Sequence, residues 1–170
     1  PFVAGRDLLG IAQTGPGKTA AFALPILNRL AGAPRRPQPK TVRVLVLSPT
    51  RELCGQILER FRAYGRHLRL RSDIVIGGVP MGRQIRSAAQ GLDILGATPG
   101  RLLDLVEQKA LRLDQVEVLV LDEADHMLDM GFIHAIRAIV AKMPAVRQNL
   151  FFSATMPAEI AKVAGQNLSE

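Results

Sequence analysis

The sequence predicts an α/β domain built on a mostly parallel, twisted sheet with helices on both faces. Three observations predict it. Apolar runs rich in β-branched residues alternate with helical patterns about six times along the 170 residues. Runs such as Val44-Leu45-Val46-Leu47 and Val118-Leu119-Val120-Leu121 are continuously apolar, as strands buried on both faces require. The first run passes through a glycine-rich stretch straight into a helical pattern, which reads as strand, loop and helix.

The elements follow in order. The first strand is expected over 7–11 and the first helix over 18–30. Residues 31–41, with Pro34, Pro37, Pro39, Arg35, Arg36 and Lys40, read as a solvated loop and the one low-complexity stretch. Strands are expected at 43–48, 72–76 and 93–97, with helices at 51–66, 80–90 and 99–109 behind them. Thr98 before Pro99 suits an N-cap with proline at the first helical position. A strand at 117–121, a helix at 132–142, a strand at 148–152 and a helix at 157–167 complete the chain. No internal repeat is visible.

Composition bounds the function. Hydrophobic residues make up 48%, enough for one globular domain with a real core. No apolar run approaches the roughly 18 residues of a membrane span, and no signal-peptide pattern is present. A single cysteine, Cys54, excludes an internal disulfide and fits a reducing, cytoplasmic setting. The net charge of +7 points to an anionic partner, nucleic acid first. Aromatics are only 4%, so base stacking is a poor candidate for the main binding mode.

The chemistry begins at Ala12-Gln13-Thr14-Gly15-Pro16-Gly17-Lys18-Thr19. Strand, glycine-rich loop, Gly-Lys-Thr and helix make a P-loop, although Ala12 stands where the general pattern has its first glycine. Gly15 and Gly17 let backbone N–H groups approach a triphosphate, and the helix adds its positive end. Lys18 can neutralise the β and γ oxygens, and the Thr19 hydroxyl can take a Mg²⁺ position. A dinucleotide fingerprint would need an acid after the second strand; Ser48-Pro49-Thr50-Arg51 stands there instead.

The acidic cluster Asp122-Glu123-Ala124-Asp125 ends the strand 117–121. Beside a P-loop, Asp122 suits Mg²⁺ and Glu123 suits a positioned water. Without the loop, these acids would read as complements to a helix dipole, and Asp125 fits that reading better than the other two. The unusual clusters all follow a strand. They are the P-loop, Pro49-Thr50-Arg51-Glu52, Gly77-Gly78, Thr98-Pro99-Gly100-Arg101, the acidic cluster and Ser153-Ala154-Thr155. In a parallel sheet those strand ends share one edge, where ligands bind.

Taken in that order, these motifs resemble the first RecA-like domain of a DEAD-box ATP-dependent RNA helicase, over nearly the whole chain. Residues 121–135 and 147–155 are most similar to the bacterial RhlE-like subgroup. The resemblance implies a RecA-like P-loop NTPase fold and an ATPase coupled to local opening of duplex RNA. It implies that Gln13, Thr14, Gly15, Gly17, Lys18 and Thr19 bind ATP, with Asp122 and Glu123 serving Mg²⁺ and water. It implies that Asp125 links to Ser153 and Thr155, which couple hydrolysis to strand separation. It gives Pro49, Thr50, Arg51, Gly77, Gly78, Thr98, Gly100 and Arg101 contacts with single-stranded RNA. Hydroxyls, loop amides and arginines suit phosphate and sugar contacts without sequence readout.

The departures also carry expectations. Pro16 stands where the family usually has Ser or Thr, and it removes one N–H from the cradle. By resemblance, an adenine-reading segment lies upstream of the P-loop, and a chain beginning at Pro1 starts too late to hold it. The second RecA-like domain, with its arginine finger, is likewise expected elsewhere in the same polypeptide. His67, His126 and His134 lack metal-ligand spacing and read as structural or exposed. Met127, Met130 and Phe132 read as packing, and Cys54 as a small buried hydrophobe. Two rival functions are a non-catalytic RNA-binding fragment and a DNA-directed helicase.

Overall fold

The computed structural model describes residues 8–11, 16–155 and 158–167. Its six strands form one sheet in the order β1-β6-β5-β2-β4-β3. These are β1 Leu8–Ile11, β2 Val42–Leu47, β3 Ser72–Val75, β4 Leu92–Ala97, β5 Val118–Leu121 and β6 Gln148–Ser153. Every pairing is parallel, as the continuous apolar runs require. The helices are α1 Pro16–Gly32, α2 Arg51–Tyr64, α3 Met81–Ala89, α4 Pro99–Glu107, α5 Ala124–Asp129, α6 Ile133–Val140 and α7 Ala158–Asn167.

Side-chain alternation along the strands sorts the core into two layers. Val44, Val46, Val118, Val120, Leu150 and Phe152 meet α1 and α2 on one face. Leu45, Leu47, Leu119, Leu121 and Phe151 meet the remaining helices on the other. Phe22 of α1 anchors the first layer, with ring centroids 6.0 Å from Phe61 and 5.4 Å from Phe152. Each such buried side chain contributes about 1.5–3 kcal/mol through the hydrophobic effect. Central strands closed on both faces hold their ends in fixed positions, and that fixes the site.

Two findings differ from the sequence reading. The stretch after β5 contains a helix, α5, which the apolar periodicity did not show. Six residues are less than two turns, too short for a 3.6-residue period to register. Its buried Met127 packs as expected, but Met130, expected in the core, is 47% exposed because the helix has already ended at Asp129.

The loop 31–41 is exposed over much of its length yet firmly held. Arg43, only 1% exposed, donates to Ala33 O at 2.9 Å and to Glu117 Oε2 at 2.7 Å. Arg35 reaches the same carboxylate at 2.6 Å. Gly91, at φ +83°, lies against this loop, and a Cβ there would fall 2.5 Å from Gln38 O. Among the described residues, no helix is long and apolar enough to cross a membrane.

Candidate functional site

Because all strands run parallel, their carboxyl ends lie on one edge, as the sequence predicts. The strand order divides that edge. β1, β6 and β5 carry the glycine loop, Ser153-Ala154-Thr155 and the acidic cluster. β2, β4 and β3 carry Pro49-Thr50-Arg51, Thr98-Pro99-Gly100-Arg101 and Gly77-Gly78. The chain leaves the first half after β1 and builds the second. It then returns through β5 and β6.

In the first half, Asp122 is held at strand level by its N–H, which donates to Leu47 O at 2.9 Å. It is 2% exposed. Lys18, in the first turn of α1, brings Nζ to 2.6 Å from Asp122 Oδ1. This oxygen is fully buried, and the Lys18 ammonium is the charge that compensates it. Burial pushes the Asp122 carboxyl above its ordinary range, the Lys18 ammonium opposes the shift, and the Glu123 charge adds to it. Thr19 is buried beside Lys18. Gly17 is exposed, and a Cβ there would meet no described atom within 4 Å. The expected cofactor residues Gln13, Thr14 and Gly15 lie outside the described residues.

Glu123 turns the chain from β5 into α5 with φ 53° and ψ 54°. A residue with a Cβ holds this left-handed conformation at a cost of about 1–2 kcal/mol. Asp125 then serves as a junction. Its N–H donates to Ser153 Oγ at 3.1 Å, and its Oδ2 accepts the Thr155 N–H and hydroxyl, each at 3.2 Å. Burial works against ionisation of Asp125. The His126 N–H, the Ser153 hydroxyl and the two Thr155 donors outweigh it and hold the carboxyl below its ordinary range. Lys18, Glu123, Asp125, His126 and Ser153 line a common cavity of about 200 Å³. His126 is exposed, with Nδ1 3.6 Å from Glu123 Oε1; His67 and His134 are exposed too.

In the second half, Thr50 Oγ1 caps α2 by accepting the Leu53 N–H at 3.2 Å. Pro49 is buried, whereas Arg51 is exposed and lies over Gly78. Gly78 has φ +81°, which favours glycine, and a Cβ there would fall 2.8 Å from Arg51 Nη1, so the arginine would have to shift. Gly77 is half-buried next to it. Thr98 occupies the N-cap position of α4, but its side chain makes no capping bond, contrary to the sequence reading. Its N–H instead donates to Val75 O at 3.1 Å, which ties β4 to β3. Gly100 is half-buried in the first turn of α4.

Arg101 is engaged within the protein. Its Nη1 donates to Val79 O at 3.0 Å and Gln84 Oε1 at 3.1 Å. Gln84 donates through Nε2 to Ile76 O at 3.0 Å, so it clamps both ends of the Gly77-Gly78 turn. The sequence reading missed Gln84. Its signal was a polar residue three positions after Met81 and four before the buried Ala88, on the inward face of α3.

A parallel sheet with Gly-Lys-Thr opening one helix, opposite a buried aspartate on a nearby strand end, defines a RecA-like P-loop domain. The chain belongs to the DEAD/DEAH box helicase family, whose pattern matches residues 1–163. It is 49% identical over 166 residues to DEAD-box ATP-dependent RNA helicase 30 of Arabidopsis thaliana, covering 98% of this chain and 28% of that protein. It is 46% identical over 162 residues to DEAD-box ATP-dependent RNA helicase CshA of Streptococcus pneumoniae, covering 95% and 30%. To RNA helicase CrhR of Synechocystis it is 44% identical over 169 residues, covering 99% and 33%. The chain thus spans about three-tenths of the length of these relatives.

Proposed function

We propose that this chain is the ATP-binding RecA-like half of an ATP-dependent RNA helicase, and that it hydrolyses ATP to open short RNA duplexes together with a second RecA-like domain of the same polypeptide. The observation that carries the proposal is the buried Lys18–Asp122 ion pair at the loop-bearing edge of the sheet. A buried pair of this kind is a weak source of stability, because desolvation offsets most of its attraction. It is well suited to exchange. An entering triphosphate offers Lys18 oxygens of higher charge and frees Asp122.

The residues fit Mg²⁺. Asp122 is buried with Oδ1 against the Lys18 ammonium, which a triphosphate would draw away, and the Thr19 hydroxyl is a second hard oxygen on the neighbouring helix. Among the described residues, no cluster of three metal-ligating side chains exists. Magnesium does not need one, since it keeps waters and takes phosphate oxygens with one or two protein ligands. When bound, the ion neutralises charge on the phosphates.

The remaining steps belong to the protein. Glu123 orients the attacking water and takes its proton, while Lys18 holds the β and γ oxygens. The positive charge still lacking at the γ-phosphoryl group comes from an arginine of the second domain. The adenine base is read by a segment upstream of the P-loop. Asp125 fastens α5 to Ser153 and Thr155, so a shift at Glu123 passes directly to the end of β6.

RNA lies along the second half of the edge. Thr50, Arg51, Gly77, Gly78, Thr98 and Gly100 contact its backbone, Pro49 shapes the turn, and Arg101 acts through the loop that it holds. The single cysteine, Cys54, is buried and its thiol is pushed up to about 12, chiefly by burial, so it stays protonated and serves packing. The test is steady-state ATP hydrolysis by the full-length protein with poly-RNA, with DNA and with neither. Stimulation by RNA alone is expected. Equal stimulation by DNA would make it a DNA-directed enzyme, and no turnover under any condition would leave only a binding module.

A further inference from the structure

The edge opposite the candidate site holds a groove of about 600 Å³. It is framed by the α1–β2 loop, the α2–β3 loop and the starts of β2 and β4. The six residues of β2 separate it from Pro49-Thr50-Arg51 by about 20 Å. Its floor is apolar: buried Leu30 and Pro37, and half-buried Leu68 and Leu70. Among the described residues its only carboxylate is Asp93, which is buried, accepts the Arg71 N–H at 2.9 Å, and lies 3.7 Å from Arg43 Nη1.

Guanidinium groups dominate the rim. Arg35 is neutralised by Glu117 at 2.6 Å. Arg36 and Arg69 are exposed and have no ion-pair partner among the described residues. Arg71 hydrogen-bonds only the neutral Gln90 through its side chain. Three positive charges therefore ring an apolar floor with no acid left to meet them.

We propose that this groove docks an acidic peptide segment of a partner protein, with one apolar side chain on the floor and flanking carboxylates on Arg36, Arg69 and Arg71. Arginine clusters recognise acidic motifs because the planar guanidinium takes a carboxylate through two parallel hydrogen bonds. Nucleic acid fits the groove less well. The lining has no aromatic ring on which a base could stack, and a phosphodiester chain gains nothing from an aliphatic floor. The edge remote from the glycine loop also stays open while nucleotide and RNA occupy the other one.

The test is selection of a random dodecapeptide display library on the protein, followed by fluorescence anisotropy of a labelled synthetic copy of the most enriched sequence. Enriched peptides are expected to carry several aspartates or glutamates around one leucine, isoleucine or phenylalanine. The Arg36→Glu, Arg69→Glu variant should weaken binding at least about tenfold, as should about 0.5 M salt. Both arginines are exposed, so circular dichroism should be unchanged, and Arg69→Ser alone provides a milder check. Binding should be indifferent to Mg-ATP and oligouridine, and ATP turnover should be the same in the variant. Selection without acidic–apolar enrichment, or equal peptide affinity for both proteins, overturns the proposal. So does a variant that loses oligouridine affinity instead, which would make the groove an RNA surface.

Discussion

Glu123 joins conformation and chemistry in one residue. Its left-handed backbone turns β5 sharply into α5, and its carboxylate faces the cavity shared with Lys18 and Asp125. Non-glycine residues in this region are costly and collect at functional sites. Glu123→Gln keeps the shape and removes the base. In the full-length enzyme it is expected to leave Mg-ATP affinity within about twofold and to lower kcat at least a hundredfold. Parallel nucleotide titration and steady-state turnover check this; a surviving kcat would assign the water to another residue. The placement of Asp122 and Glu123 at the end of β5 was legible in the sequence, because the apolar run 117–121 stops at them. The left-handed turn was not legible, since glutamate carries no signal for positive φ.

At the scale of elements, β2 carries the buried Arg43 at its start and leads into Pro49-Thr50-Arg51 at its end. Arg43 is held by Glu117 and Asp93, and Glu117 also ties down Arg35 and with it the α1–β2 loop. Burial works against ionisation of Glu117, but hydrogen bonds and charge from Arg43 and Arg35 outweigh it and hold the carboxyl below its ordinary range. The folded state therefore binds this proton less tightly than the unfolded chain. The stabilisation is complete above the ordinary carboxylate range and is lost as pH falls through the lowered folded value.

Glu117→Gln is expected to cost about 2 kcal/mol at pH 7, because it leaves Arg43 buried with only Asp93 nearby. It should also flatten the loss of stability below about pH 5. Urea unfolding across pH measures both, and equal stability at pH 7 would show the cluster to be inert. Among the described residues, the six strands and six of the seven helices were legible as runs and periods. Three features were not: α5, too short for its period; Gln84, a polar residue on a buried face; and the Arg43–Glu117 pair, joining residues 74 apart in sequence.

At the scale of the whole molecule, the strand order puts the proposed nucleotide and RNA surfaces on separate halves of one sheet edge. In the proposed reaction Lys18 serves the phosphates, Asp122 the metal and Glu123 the water, while the transition state draws charge from a second domain. The isolated residues 1–170 are therefore expected to turn over ATP at least about a thousandfold more slowly than the full-length protein in saturating single-stranded RNA. Comparable RNA-stimulated rates would place the arginine finger within this chain.

The buried Lys18–Asp122 pair is, in the proposed function, a nucleotide site held closed by its own charges. Equilibrium titration of a fluorescent ATP analogue with Mg²⁺ into the chain and into Lys18→Ala tests it most directly. At least a tenfold weaker Kd is expected in the variant, about 1.4 kcal/mol, with an unchanged circular dichroism spectrum. Equal affinity in two equally folded proteins would contradict it.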